Sequence, residues 1–99
     1  MRPLRVRAVA RREIDIAFEW YRVRSPRAAD AFLTEVADAI RRLREAPERF
    51  PIVQGRLRRV LLDRFPYGVY FKEFPTVVSV VGVIHGRQHP DTWMRRVAP

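Results

Sequence analysis

Apolar residues follow three rhythms along this chain, and each rhythm predicts an element. The densest runs over residues 77–84, Val77-Val78-Ser79-Val80-Val81-Gly82-Val83-Ile84, where β-branched side chains dominate. Such side chains are stiff at χ1 and pack well on a pleated surface. Apolar character at almost every position, not only at alternate ones, predicts a central strand covered on both faces. Arg64 to Phe74 supplies a strand before it, and the break at Pro75 joins the two as an antiparallel hairpin. The second rhythm is alternation. Leu4 to Val9 sets Leu4, Val6 and Ala8 against Arg5 and Arg7, which predicts a short first strand with one face towards the core.

The third rhythm is helical. In Ala10–Arg24, residues Ile14, Ala17, Phe18 and Tyr21 recur at the three-and-four spacing of one face. In Pro26–Ala46 the stripe is Ala28, Ala31, Phe32, Val36, Ala39, Ile40 and Leu43, with Arg41, Arg42 and Arg44 at the end where cations complement the helix dipole. Ser25 suits the N-cap of this second helix and Pro26 its first turn. Pro47 stops it, and so short a break between two helices predicts a helical hairpin. Glu48 to Gly55 reads as a loop, anchored to the core by Phe50-Pro51-Ile52, and Arg56 to Leu62 as another strand. The segment from Pro90 to Pro99 is left between one helical turn and partial disorder. The order is β-α-α-β-β-β over one domain, residues 1–99: an α+β fold with a helical hairpin packed on one face of a small, mainly antiparallel sheet.

Composition narrows the function. The 99 residues include no cysteine, which removes disulfides, thiol nucleophiles and Cys-ligated metal sites. No stretch reads as a signal peptide or a spanning helix, so a cytoplasmic protein with no membrane association is expected. The net charge is +9, and Lys72 is the one lysine among 20 basic residues. Arginine codons favoured by a G+C-rich genome explain arginine over lysine but not the excess of base over acid. An acidic partner does, whether nucleic acid or protein. Residues 51–99 hold eight basic and three acidic residues, and there the cations Arg56, Arg58, Arg59, Arg64, Lys72 and Arg87 alternate with Tyr67, Tyr70, Phe71 and Phe74. Interleaving of this kind suits phosphates and unstacked bases. A solvated basic face is the plain alternative, and the alternation of Tyr67 with Phe71 is what core residues would show.

Metal and nucleotide chemistry find no footing. The glycines are scattered, with no phosphate-cradling loop. His85 and His89 are four apart, but at a strand end around a glycine, where two hydrogen-bonded histidines are the simpler reading than zinc ligands. Ser25 and Ser79 have structural explanations at a cap and inside a strand. No cofactor and no metal are expected.

The combination of Trp20-Tyr21, Ser25-Pro26-Arg27-Ala28-Ala29, Phe50-Pro51, Arg58-Arg59, Phe65-Pro66-Tyr67 and His85-Gly86-Arg87 with Pro90, Trp93 and Arg96 resembles the RelE/ParE superfamily of bacterial type II toxins, on the ParE side. The resemblance implies the β-α-α-β-β-β fold and a cognate acidic antitoxin whose amphipathic segment folds onto the toxin. ParE-like members inhibit DNA gyrase by binding. RelE-like members are ribosome-dependent mRNA endonucleases, and RNA cleavage without metal needs a base, an acid and cations. Here Gly68 stands where RelE has an arginine after the strand tyrosine, and Trp93 where it has a tyrosine, while Arg59 and Arg87 match. The expectation is a gyrase-binding toxin with Arg58, Arg59, Arg64, Arg87, Trp93 and Arg96 as target contacts and no catalytic residue. The alternative is a nuclease using Arg59, Arg64, His85 and Arg87 on mRNA at the ribosome. A degenerate toxin that binds only its antitoxin is the third reading.

Overall fold

The computed structural model describes residues 2–88. In chain order they form β1 (Leu4–Val6), α1 (Ala8–Arg24), α2 (Pro26–Glu45), β2 (Ile52–Gln54), β3 (Leu57–Leu61), β4 (Tyr67–Glu73) and β5 (Val78–His85). One sheet runs β1-β5-β4-β3-β2. β1 lies parallel to β5, and the other neighbours are antiparallel. The expected α+β architecture is present, with the two helices on one face.

Two stretches differ from the sequence reading. The strand expected over Leu4–Val9 stops at Val6, because Ala8, Val9 and Ala10 enter α1, where the small Ala10 is fully buried. The loop expected over residues 48–55 contains β2, an additional strand too short to show alternation. Gly55, with φ 56°, makes the tight turn from β2 into β3 that other residues rarely adopt. Within the same segment Phe50 packs against Phe71, ring centres 6.1 Å apart, but the Pro51 and Ile52 side chains are exposed, and these two residues join the sheet through backbone pairing with Arg58 and Arg59.

Ser25 is the N-cap of α2, its Oγ accepting from the Ala28 N–H at 3.2 Å, with Pro26 in the first turn. The buried stripe of α2 is Ala29, Phe32, Val36, Ala39 and Leu43; Ala28 and Ala31, expected there, lie half-buried at its edge. These side chains meet Val60, Val69, Phe71, Val78, Val80 and Val83 in the main core. Phe32 touches the rings of Tyr21, Phe65 and Tyr67. β5 is buried from Val78 to Ile84, as a central strand should be. Its second face is covered by the sheet's own side chains: Leu57, Tyr70, Val81 and Ile84, with Val53 against them.

A bulge sets which residues reach that second face. Phe71 pairs with Val80 and Tyr70 with Gly82, so Val81 is an extra residue in β5. After it the alternation is shifted by one. Val83 faces the helices, Ile84 the open face, and His85 stands opposite Tyr67.

Candidate functional site

Alternation along β3 separates its two central arginines. Arg58 lies opposite Phe71 on the helix side, and its Nη1 donates to the Phe50 carbonyl at 2.6 Å. It holds the segment before β2 in place. Arg59 lies opposite Tyr70 on the open face. Its Nη1 is 3.5 Å from the Tyr70 hydroxyl and its guanidinium carbon 5.9 Å from that ring's centre. Gly68 is the floor under this pair. A Cβ there would come within 3.0 Å of Tyr70 Cε1 and 3.2 Å of Arg59 Cγ and Cδ. The Arg59 Nε is buried with no hydrogen-bond partner, a cost of about 1–3 kcal/mol for a buried donor.

Arg59 edges a groove of about 640 Å³ whose floor is apolar, with Leu61, Tyr70 and Ile84 along it. Arg64 and His85 reach the same groove, Arg58 does not, and Arg87 is exposed on the turn beyond His85. Arg64 is engaged elsewhere: Glu35 of α2 accepts from its Nε at 2.7 Å, from its N–H at 3.1 Å and from the Asp63 N–H at 2.9 Å. Desolvation pushes the Glu35 carboxyl up. The side chain and N–H of Arg64 and the N–H of Asp63 outweigh it and hold the group below the ordinary carboxylate value.

His85 Nδ1 accepts from the Arg87 N–H at 2.9 Å, and its ring meets Tyr67 edge-on at 5.0 Å. In the neutral imidazole this places the proton on Nε2. Burial, with Tyr21 beside it, raises the Tyr67 phenol above its usual value, which makes it a poorer source of a phenolate. Of the nuclease set, Arg59, Arg64 and His85 share one groove, and Arg87 lies on the turn that follows. Trp93 and Arg96, and His89 of the histidine pair, lie outside the described residues.

Sequence reading missed a second surface. Ile16, Trp20 and Val23 on α1 are 64%, 51% and 68% exposed. Their i, i+4, i+7 spacing was the available signal, masked by the stronger face of Ile14, Ala17 and Tyr21. Arg24 stacks over Trp20, 3.7 Å from the ring centre. Ile16 and Trp20, with Tyr21, Tyr67 and His85, line a cavity of about 260 Å³ at the ends of β4 and β5. Among the described residues no group of three His, Cys, Asp or Glu could hold a metal ion, and no helix is long and apolar enough to cross a membrane.

Residues 4–90 match the family model described as "ParE toxin of type II toxin-antitoxin system, parDE". A solved structure titled "Chromosomal ParDE TA system from P. aeruginosa" contains a chain with the same fold, at a TM-score of 0.76 and 17% identity, covering 86% of this chain and 96% of that one. No curated protein matches.

Proposed function

The chain belongs to the ParE toxin family of type II toxin–antitoxin systems, and from that premise we propose that it inhibits DNA gyrase by binding, in the cytoplasm, and is neutralised by a cognate acidic antitoxin. The observation that carries binding over cleavage is the make-up of the open groove, where Arg59 lies over an apolar floor of Leu61, Tyr70 and Ile84 and Arg64 is already held by Glu35. A surface of that kind suits a protein partner with an acidic group at its contact. Arg59 is the leading target contact, with Arg64 in the same groove and Arg87 on the turn after His85; Trp93 and Arg96 are kept as contacts on the sequence reading alone. Arg58 acts from the other face, by holding the segment that carries β2.

Purified gyrase tests this directly. Inhibited supercoiling with trapped DNA breaks supports the reading, and gyrase untouched by a large excess of folded protein refutes it. The gathering of Arg59, Arg64 and His85 in one groove favours a second reading, a ribosome-dependent mRNA endonuclease. Primer extension on translated message distinguishes the two: cut messages abolished by His85→Ala would establish the nuclease.

A further inference from the structure

The open face of the sheet continues past Tyr70 and Val81 towards the edge formed by β1. Arg5 of β1, Ser79 of β5 and Lys72 of β4 are register partners, so their side chains share one face. Their neighbours along the strands, Leu4, Val6, Phe71 and Val80, pack into the core beneath the helices, which puts this row on the open face. We propose that the row is a phosphate site, where Lys72 and Arg5 close over Ser79 on a phosphodiester of duplex DNA. It goes beyond the gyrase reading by giving the chain a second contact, to the DNA that gyrase holds. The site lies six positions along β5 from His85, roughly 20 Å from that end of the groove.

Three observations carry it. The first is an orphaned hydroxyl. Ser79 is 4% exposed and its Oγ has no hydrogen-bond partner, and an unpaired buried polar atom is the place to look for a bound group. The second is free charge on both sides of it. Adjacent strands lie about 4.8 Å apart, so the long side chains of Lys72 and Arg5 can converge on one anion above Ser79. Neither has an ion pair among the described residues, and Glu73, beside Lys72, alternates to the other face and holds Arg2 at 2.5 Å. The third is that the charge runs on. Arg7, Arg11 and Arg12 follow Arg5, all exposed and without an ion pair among the described residues, while Glu13 is turned to the Val83 N–H. Arg7 and Arg11 stand at the start of α1, where no acid sits in the first turn and where cations oppose the helix dipole. They do not serve the helix. A free cation run leading away from one anion site suits a polyanion, and arginine, lysine and serine are the residues that backbone phosphates meet.

The test is the anisotropy of a short labelled DNA duplex titrated with the full chain at a series of salt concentrations, without gyrase. The chain should bind, with log affinity falling linearly against log salt. Arg5→Gln combined with Lys72→Gln should weaken binding about tenfold or more and reduce that slope by about one. Ser79→Ala should weaken it about threefold to tenfold at an unchanged slope, since one neutral hydrogen bond is lost. The same variant should not lower the unfolding midpoint, because the hydroxyl it removes has no partner within the chain. Arg27→Gln, an exposed arginine of α2 on the helix side, should change affinity by less than about twofold. Row variants that behave like Arg27→Gln overturn the proposal, as does a duplex left unbound at low salt. So does inorganic phosphate or polyglutamate held as tightly as the duplex and lost with the same variants, or single-stranded RNA held about tenfold more tightly. Gyrase is absent from the assay, so failure here leaves the gyrase reading standing, and gyrase untouched by the chain leaves the DNA site standing.

Discussion

Glu13 of α1 accepts a hydrogen bond from the Val83 backbone N–H at 3.0 Å. The pair explains how a three-residue β1 suffices. β1 covers the edge of β5 only from Val78 to Val80, and beyond the bulge a helix side chain takes over from the missing strand. A buried donor left without its acceptor costs about 1–3 kcal/mol. Glu13→Ala should therefore lower stability by about that amount, and Glu13→Gln, which keeps an acceptor oxygen, by clearly less. Urea unfolding of both variants measures this; equal losses would refute the role given to the oxygen.

Arg59 offers a separation of stability from activity. Its Nε is buried without a partner, so replacing it with an apolar side chain of similar length removes a penalty. Arg59→Met should leave the unfolding midpoint unchanged or raise it, by up to about 1 kcal/mol. The same variant should lose about tenfold or more in gyrase inhibition. A variant that is both destabilised and fully inhibitory would contradict this account.

Gly68→Ala tests the floor under that arginine. The clashing atoms are side chains, Tyr70 Cε1 and Arg59 Cγ and Cδ, so they can shift. The expected stability cost is about 1–2 kcal/mol. Arg59 should be displaced and inhibition reduced, in the direction of Arg59→Met. Supercoiling assays at matched folded concentration provide the measurement.

Glu35 gives a pH dependence. Its folded carboxyl lies below the ordinary value of 4.5, so the stability it contributes is complete above that value and is lost as pH falls through the folded one. Acid should weaken the clamp on Arg64 in the window below pH 4.5. Glu35→Gln should flatten this part of the stability profile below pH 4.5. Chemical unfolding at a series of pH values decides it, and an unchanged slope would refute the assignment.

Much of the fold was legible because it rests on strong periodicity and caps. The continuous apolar run of β5, the Ser25-Pro26 junction and the stripe through Phe32, Val36 and Leu43 are local signals with one structural solution. β2 was not legible, since three residues carry no period. The site was half legible. Arg58 and Arg59 read alike in sequence, and only the register against Phe71 and Tyr70 sends them to opposite faces. The Ile16–Trp20–Val23 stripe was hidden because α1 carries two apolar faces and only one meets the core. The partner of Arg64 lies 29 residues away on α2, a relation that no local pattern encodes.

The pairing of β1 with β5 also sets when this protein can become active during its synthesis. Leu4 finds its partner at Val78, so the N-terminal strand has nowhere to dock until nearly the whole chain has left the ribosome. The groove has the same dependence, because Ile84 and His85 belong to its wall. A ribosome that stops before β5 releases a helical hairpin without a completed sheet. Long-range pairing of this kind forms late and slowly, which gives any partner made alongside it time to be present when the groove first exists.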